Sequence, residues 1–283
     1  MIPGETIAEV LRRAAHALAQ HSESPRLDAE VLLGKVLGVT RSALIVRGPE
    51  PLAADALHRY RGLIERRATG TPVAYLTGRR EFWSLQLEVT PAVLVPRPET
   101  ETLVELALRL LPLDREPSVL DLGTGSGAIA LAIAAERPRA RVTGIDISPA
   151  ALGVARRNAS ALGLPRVAWR LGSWFEPVAS ERFDLIVANP PYVADTDPAL
   201  AKLADEPPLA LRSGATGLES LQAIIVQAAA HLQSQGWVLL EHGSSQGPEV
   251  ARLLEHRGFS AVRSHDDYSG RPRVTQGTIH LQH

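Results

Sequence analysis

The segment FDLIVANPPY, residues 183–192, joins a short apolar run to two consecutive prolines. Runs of this length, rich in Val and Ile and stopped by Pro, are typical of buried strands in parallel sheets. Ligands of open parallel sheets bind just beyond the carboxyl ends of the strands, so Asn189 falls where chemistry is expected. Proline keeps its carbonyl acceptor, lacks a backbone donor and fixes its own φ. Asn189 and Pro190 therefore offer rigid acceptors suited to an –NH2 group, although a simple proline turn would explain the same residues.

The chain around this segment alternates strand and helix patterns, which predicts a parallel sheet covered on both faces. Strands are predicted at 118–122, 141–146, 167–171, 183–188, 236–241, 259–265 and 274–281, and helices near 126–136, 149–162, 218–234 and 246–257. Only residues 266–273 separate the last two strands. Because that connection is too short for a crossover helix, these two strands should be antiparallel. We predict a Rossmann-like α/β domain with seven strands, mostly parallel, and one reversed strand near the end.

The residues before this domain follow different patterns. Apolar residues at helical spacing in 4–20, 25–38 and 52–68 predict a small helical bundle, and we assign residues 1–75 to a helical substrate-docking domain. Residues 76–97 are predicted to form a β-hairpin linker, with strands at 82–89 and 92–95 around a turn at Thr90-Pro91. The third domain covers 98–283.

An amphipathic helix is predicted over residues 99–111, at the start of the third domain. Pro98 suits the first helical position, and Glu99 and Glu101 suit the positive end of the helix dipole. This role accounts for both acids without assigning them any part in catalysis.

Composition excludes several classes of function. The chain has no cysteine, which rules out disulfides, Cys-ligated zinc and a thiol nucleophile, and we expect no metal site. A net charge of −1 gives no general signal for nucleic acid or membrane binding, although residues 1–80 carry an excess of Arg over acids. The N-terminus lacks signal-peptide features, and no apolar run reaches the roughly 18 residues that span a bilayer. We expect a cytoplasmic protein without a membrane partner.

A glycine-rich loop follows the first strand of the predicted sheet. Gly123-Thr124-Gly125-Ser126-Gly127 lies between that strand and a helix, where glycines let the backbone approach a ligand. The pattern G-x-G-x-x-G/A also fits residues 125–130, so the loop alone does not separate NAD from other adenosine cofactors. Asp146 ends the next strand and is suited to accept hydrogen bonds from ribose hydroxyls, or simply to cap the following helix. Asp121 lies two residues before the first glycine, and in this position it resembles an acid that is common in S-adenosylmethionine-dependent methyltransferases.

Four segments resemble the signature of one family. They are GRREFWSLQLEVTPAVLVPRPETE at 78–101, DLGTGSGAIALAIA at 121–134, NPPY at 189–192 and LLEHG at 239–243. Together they are similar to the bacterial peptide chain release factor N5-glutamine methyltransferases, and the similarity covers nearly the whole chain. The resemblance implies a class I methyltransferase domain, S-adenosyl-L-methionine as cofactor, and a role in translation termination. The implied substrate is the glutamine of the Gly-Gly-Gln motif in class 1 release factors. Separately from the resemblance, we expect a monomer, and the near-neutral charge leads us to expect no direct nucleic-acid substrate.

The family pattern also implies roles for individual residues. The cofactor would contact Gly123, Thr124, Gly125, Ser126, Gly127, Asp146, Trp174 and Asn189, and the substrate amide would contact Asn189, Pro190, Pro191 and Tyr192, of which Asn189, Pro190 and Tyr192 are assigned to catalysis. Two positions depart from the pattern. Ser173 stands where family members often carry an acid, and Asp205 stands where an aromatic residue usually precedes Glu-Pro.

Other functions are compatible with some of these motifs. NPPY-type motifs also occur in methyltransferases that act on the amino groups of nucleic-acid bases, but the chain shows no aromatic and basic binding tract. A ribosomal-protein glutamine methyltransferase is a closer rival, which the PRPETE segment disfavours. A non-catalytic cofactor-binding accessory protein would leave the intact NPPY unexplained.

Overall fold

The computed structural model describes residues 5–280, which form two compact units. The first unit comprises the chain up to Arg79 together with Lys202–Asp205, and the second comprises Arg80–Ala201 and the residues from Glu206 onward. The predicted helix start at residue 4 and strand end at residue 281 lie outside the described residues. The division at residues 75 and 97 stays a prediction.

The first unit is helical, as the spacing of its apolar residues predicts. Its helices are α1 (Ile7–Ala17), α2 (Pro25–Leu37), α3 (Arg41–Val46), α4 (Ala54–Ala68) and α5 (Val73–Thr77). A capping box starts α1, because the Thr6 hydroxyl accepts from Glu9 N while the Glu9 carboxylate accepts from Thr6 N. The core includes fully buried Tyr60, whose hydroxyl donates to the Ala29 carbonyl at 3.0 Å. Helices α3 and α5 were not predicted, since five or six residues are too few to show a helical period.

The hairpin is present, but its turn lies earlier than predicted. Its strands are β1 (Arg79–Phe82) and β2 (Leu85–Glu88), and residues 92–95 form no strand. Trp83 and Ser84 occupy the turn with φ of 51° and 59°. Two positive φ values in a two-residue turn reverse the chain tightly. The alternation over 82–89 was therefore wrongly interpreted as one strand, because neither residue is a usual turn former.

The second unit contains the predicted seven-stranded sheet. Its strands are β3 (Ser118–Leu122), β4 (Arg141–Asp146), β5 (Ala168–Leu171), β6 (Phe183–Ala188), β7 (Leu232–Glu241), β8 (Ser260–Asp266) and β9 (Pro272–Thr278). Their order is β5-β4-β3-β6-β7-β9-β8. Pairs from β5 to β7 are parallel, whereas β9 is antiparallel to both β7 and β8. The single reversed strand confirms the predicted architecture.

Helices cover both faces of this sheet. They are α6 (Glu101–Leu110), preceded by a 3-10 turn at Pro98–Thr100, then α7 (Ala128–Glu136), α8 (Pro149–Ala161), α9 (Glu219–Ala228) and α10 (Gly247–His256). Val187 and Leu239 pack in the buried cluster that contains residues of α6 and α7. Their neighbours along the strands, Ile186 and Leu240, pack in the cluster that contains residues of α9 and α10. This alternation follows from the two-residue period of a strand.

Two central strands end side by side in this arrangement. Leu122 at the end of β3 pairs with Ala188 at the end of β6. The chain leaves β3 toward β4 on one side and enters β6 on the other, so the order of strands reverses here. Such a switch point opens a crevice at the carboxyl ends of the strands. In the described part of the chain, no helix is long and apolar enough to cross a membrane.

Candidate active site

A cavity of about 330 Å³ lies at this switch point. Its size falls within the range of about 300–1,000 Å³ that is usual for small-molecule sites. Seven of the predicted site residues line it: Gly123, Thr124, Gly125, Asp146, Trp174, Asn189 and Pro191. Ser126, Gly127, Pro190 and Tyr192 do not line it. The functional roles of all eleven residues stay predictions.

The glycine loop is held open toward the cavity by backbone hydrogen bonds. Thr124 N donates to the Ile145 carbonyl at 2.9 Å, and Gly125 N donates to Asp146 Oδ2 at 2.8 Å. Gly125 has a φ of 56°, a backbone conformation that residues with a side chain rarely adopt and that glycine adopts at no steric cost. The loop therefore presents bare backbone to the cavity, as a cofactor cradle requires.

Asp121 supports this loop from beneath. Its side chain is fully buried, and its Oδ2 accepts from the Thr124 hydroxyl at 2.6 Å and from Ala130 N at 3.2 Å. Oδ1 has no hydrogen-bond partner among the described residues. Burial raises the pKa of Asp121 to about 7, against the opposing effect of the Thr124 and Ala130 hydrogen bonds. Asp121 thus joins the loop to the first turn of α7.

Asp146 connects the glycine loop to the start of α8. Its Oδ2 accepts from Gly125 N, and its Oδ1 accepts from Ser148 N at 2.8 Å. The cap of α8 is Ser148, whose hydroxyl accepts from Ala151 N, so Asp146 is not the capping residue itself. A carboxylate has about four acceptor sites, and these bonds use two of them. Asp146 therefore retains acceptor capacity toward the cavity it lines, although burial raises its pKa.

Trp174 supplies a flat apolar surface to the cavity. It follows β5 and has a φ of 43°, which is unusual for a bulky residue. Its ring lies near the glycine loop, since a Cβ on Gly123 would lie 3.8 Å from the ring. Ser173 also lines the cavity, and its backbone N donates to Glu176 Oε2 at 3.1 Å. A ring that lines the cavity close to the glycine loop is suited to contact a flat heterocycle.

Ser126 and Gly127 shape the loop from behind. The Ser126 carbonyl accepts from Asn158 Nδ2 at 2.9 Å, and Asn158 also exchanges two hydrogen bonds with the backbone of Glu88. Gly127 has a φ of 82° and precedes the first residue of α7. A Cβ on Gly127 would lie 2.9 Å from Trp169 and 3.1 Å from Leu131. Sequence reasoning missed Asn158, because nothing in its local pattern distinguishes it from an exposed helical residue.

We expect Gly127→Ala to lower the free energy of unfolding by about 2–4 kcal/mol, because it combines left-handed backbone strain with overpacking against Trp169. Gly163→Ala is the matched control. Gly163 has a similar φ of 67°, but a Cβ there meets nothing within 4 Å, so only the strain remains. Urea unfolding of both variants measures the difference. Equal losses in the two would contradict the packing role of Gly127.

The NPPY segment begins at the same edge of the sheet. Asn189 Nδ2 donates to the Thr100 hydroxyl at 3.1 Å, and both residues line the cavity. Pro190 is buried, and Pro191 faces the cavity. Tyr192 packs against the apolar cluster on the α9 and α10 face, and burial raises its pKa to about 12. The last residue of this segment is also held through its backbone, because the Tyr192 carbonyl accepts from Gln246 Nε2 at 3.1 Å.

Two loops close over the cavity through a contact that was not predicted. Glu206, almost fully buried, forms an ion pair with Arg97 and accepts from Val95 N at 3.1 Å. Arg97 and the residue after Glu206, Pro207, both line the cavity. The PRPETE segment contained the signal for Arg97 and Thr100, but its acids were explained as helix caps. In the structure Glu101 lies in the first turn of α6, as predicted, and its carboxylate also accepts from Trp83 N at 2.9 Å and holds the hairpin turn.

Arg212 is the other cationic side chain on the cavity wall. It is exposed and forms no ion pair among the described residues. Sequence reasoning missed it, because a lone Arg in a loop carries no pattern.

The residues around the cavity fit S-adenosylmethionine. The glycine loop allows close approach, Asp146 retains acceptor sites for ribose hydroxyls, and Trp174 offers a face for a base. Among the described residues, Asp146 is the one acidic side chain that lines the cavity. This set of groups matches an adenosine cofactor.

Comparisons with known proteins agree with this geometry. A family model described as a PrmC N-terminal domain matches residues 9–78, and a methyltransferase domain model matches residues 113–273. The release factor glutamine methyltransferase of Xylella fastidiosa (strain Temecula1) is 54% identical over 89% of this chain and 92% of that protein. The protein of the same name from Yersinia pestis is 48% identical over 93% of this chain and 95% of its own length.

One solved structure bears on the fold alone. A methyltransferase from Pyrococcus furiosus gives a TM-score of 0.54 at 19% identity, over 70% of this chain and 90% of that one. The sheet order and the cavity at the switch point fit a methyltransferase fold, and the sequence relatives identify the family. The chain belongs to the release factor glutamine methyltransferase family.

Proposed function

We infer that this chain transfers a methyl group from S-adenosylmethionine to the side-chain amide nitrogen of a glutamine in peptide chain release factors. We propose that the acceptor is the glutamine of the Gly-Gly-Gln motif in class 1 release factors. The observation that carries the proposal is the position of Asn189, which lines the cavity beside the glycine loop and begins an NPPY segment. Full-length sequence relatives of this one activity support it.

The chemistry requires positioning more than acid–base catalysis. An amide nitrogen is a poor nucleophile, because its lone pair is delocalised into the carbonyl. If Asn189 Oδ1 and the Pro190 carbonyl accept its two N–H bonds, the nitrogen is oriented with its lone pair free to face the methyl donor. When bound, S-adenosylmethionine supplies an electrophilic sulfonium methyl group. The methylated nitrogen then releases one proton readily, so we assign no residue as a general base.

The remaining parts of the chain receive roles that rest on the same proposal. We propose that the helical domain, residues 1–75, docks the release factor, and that residues 76–97 link it to the methyltransferase domain. We propose that Tyr192 excludes water from the substrate amide while residues 189–192 hold that amide. We propose a monomeric enzyme that works in the cytoplasm, where its substrate takes part in translation termination.

A transfer assay tests the function directly. We expect methyl-labelled S-adenosylmethionine to label a purified class 1 release factor, and substitution of the Gly-Gly-Gln glutamine by Ala in that factor to abolish the labelling. Nuclease treatment of the reaction should leave the labelling unchanged. Undiminished labelling of the substituted factor would contradict the proposed acceptor, and labelling lost with nuclease would favour a nucleic-acid substrate.

A further inference from the structure

A single side-chain amide, that of Gln246, joins three separate loops beyond the carboxyl ends of β6 and β7. Gln246 lies just before α10, and its Oε1 accepts from Gly243 N at 2.8 Å. Its Nε2 donates to the Tyr192 carbonyl at 3.1 Å and to the Gly217 carbonyl at 3.2 Å. The amide therefore connects the loop after β7, the end of the NPPY segment and the loop before α9.

The direction of this amide is fixed by its partners. A backbone N–H can only donate and a backbone carbonyl can only accept, so an amide turned around would place Nε2 against a donor and Oε1 against two acceptors. In the observed direction, Gln246 offers one acceptor to Gly243 N and two N–H bonds to two carbonyls. A carboxylate of the same shape would keep the first bond but would place an acceptor against both carbonyls.

Two glycines leave room for the backbone to reach this amide. A Cβ on Gly217 would lie 2.6 Å from the Tyr192 carbonyl oxygen and 3.0 Å from Gln246 Nε2. A Cβ on Gly243 would lie 3.0 Å from Gln246 Oε1. Contacts this short would force the neighbouring atoms to move, so a side chain at either position would disturb the hydrogen bonds of the amide.

The residue after the NPPY segment continues this connection into the wall of the cavity. Val193 N donates to the Leu211 carbonyl, and the Val193 carbonyl accepts from Ser213 N, both at 2.9 Å. Arg212 lies between these two partners and lines the cavity. The end of the NPPY segment and this part of the wall are therefore held together, and Gln246 holds the carbonyl that precedes Val193.

The position of the Tyr192 backbone matters for the proposed reaction. The proposed acceptors of the substrate amide, Asn189 Oδ1 and the Pro190 carbonyl, lie only two and three residues before Tyr192. Both intervening residues are prolines with a fixed φ, so a displacement of Tyr192 is passed on to these acceptors and not absorbed between them. A displacement of about 1 Å can cost about 100-fold in rate. The glycine loop is held by separate hydrogen bonds from Thr124 N and Gly125 N, so cofactor binding should depend little on Gln246.

We propose that Gln246 is a positioning residue that holds the Tyr192 carbonyl and thereby keeps the Asn189 and Pro190 acceptors in place for the substrate glutamine. The inference deepens the proposed function and rests on it for its kinetic consequence. Its structural consequence, the ordering of the backbone at Tyr192 and Val193, can be measured on the enzyme without substrate.

Hydrogen exchange of the ¹⁵N-labelled full-length enzyme tests that ordering. The variant is Gln246→Glu at pH 8, where the new carboxylate is ionised and has no proton to donate. We expect exchange of the Val193 backbone N–H to accelerate at least about tenfold relative to the wild type, because the Tyr192 carbonyl is no longer held. The Gly243 N–H should stay protected, since a carboxylate oxygen still accepts from it. Unchanged Val193 exchange in this variant would overturn the proposal.

Kinetics separate positioning from a general structural role. Gln246→Glu should lower kcat for the release factor about 10- to 100-fold, with its KM and the dissociation constant of S-adenosylmethionine changed less than about threefold. The number of cofactor sites found by calorimetric titration corrects kcat for any unfolded enzyme. Gln233→Glu is the matched control, because it adds the same charge to an exposed side chain of β7 that donates to one carbonyl, that of Arg182, at 3.4 Å. This control should keep kcat within about twofold of the wild type.

Gly217→Ala tests the same contact without changing Gln246. Its Cβ would displace the Tyr192 carbonyl, so kcat should again fall at least about tenfold while cofactor affinity changes less than about threefold. Gly163→Ala, which has a similar backbone conformation but an open surrounding, should keep the wild-type kcat. A wild-type kcat in either Gln246→Glu or Gly217→Ala would overturn the proposal. A wild-type enzyme that protects the Val193 N–H but leaves release factor unmethylated would instead refute the proposed function, so the two failures are distinguishable.

Discussion

Replacing Asn189 with Ala is expected to lower the rate of methyl transfer by at least about 1,000-fold, with cofactor affinity changed less than about fivefold. Asn189 lines the cavity at the end of β6, next to the glycine loop that follows β3. Its side-chain oxygen is the acceptor proposed to orient the substrate amide, whereas cofactor contacts are spread over several loops. The loss should therefore appear in kcat and not in cofactor binding.

A longer amide provides the matched variant. Asn189→Gln keeps the same functional group but moves it by one methylene, which displaces it from Thr100 and from the proposed substrate position. A displacement of about 1 Å can cost about 100-fold in rate, so this variant should also be severely impaired. Single-turnover transfer and calorimetric titration with S-adenosylmethionine measure the two quantities. An Asn189→Ala enzyme with more than about a tenth of the wild-type rate would show that the amide is held elsewhere.

Replacing Asp146 with Ala should weaken S-adenosylmethionine binding by at least about 100-fold. The carboxylate fixes Gly125 and Ser148 through backbone hydrogen bonds and is proposed to accept the ribose hydroxyls as well. Hydrogen bonds to a charged group contribute about 1.5–3 kcal/mol each, so losing the two proposed bonds to the ribose hydroxyls accounts for this effect. Calorimetric titration measures the dissociation constant.

Asp184 provides the control for this variant. Its carboxylate also joins two chain segments, the starts of β6 and β3, since its Oδ2 accepts from Ser118 N at 2.7 Å and from the Ser118 hydroxyl at 2.8 Å. It lies near the amino end of β6, whereas the cavity lies at the carboxyl ends of the strands. Asp184→Ala should lower stability but leave cofactor affinity unchanged. Equal weakening of cofactor binding in both variants would mean that Asp146 acts only by stabilising the fold.

The sequence predicted the parts of the fold that repeat a local pattern. The runs at 118–122 and 183–188 are short, apolar and bounded by Gly or Pro, so β3 and β6 were placed to the residue. Because both strands end at the same side of a parallel sheet, the sequence also predicted that the glycine loop and Asn189 lie close together. The hairpin turn at Trp83-Ser84 was missed, because its positive φ values are imposed by the surrounding structure and not by turn-forming residues.

The rest of the site depends on contacts between distant positions. Glu206 and Arg97 are 109 residues apart, and Asn189 and Thr100 are 89 apart. No local period or spacing relates such pairs. Glu241 lay within a segment that resembles the family. Its burial, and the lack of a hydrogen-bond partner for its Oε2 among the described residues, follow only from the packing of β7 against α6. The order of the strands determines where the cavity lies, and long-range polar contacts of this kind determine its chemistry.

Mass spectrometry of a purified class 1 release factor, after incubation with this protein and S-adenosylmethionine, shows directly whether this protein methylates the Gly-Gly-Gln glutamine. We expect one added methyl group, located by fragmentation on the side-chain nitrogen of the Gly-Gly-Gln glutamine and absent with the Asn189→Ala enzyme. A release factor that stays unmodified, or a methyl group found on another residue, would contradict it.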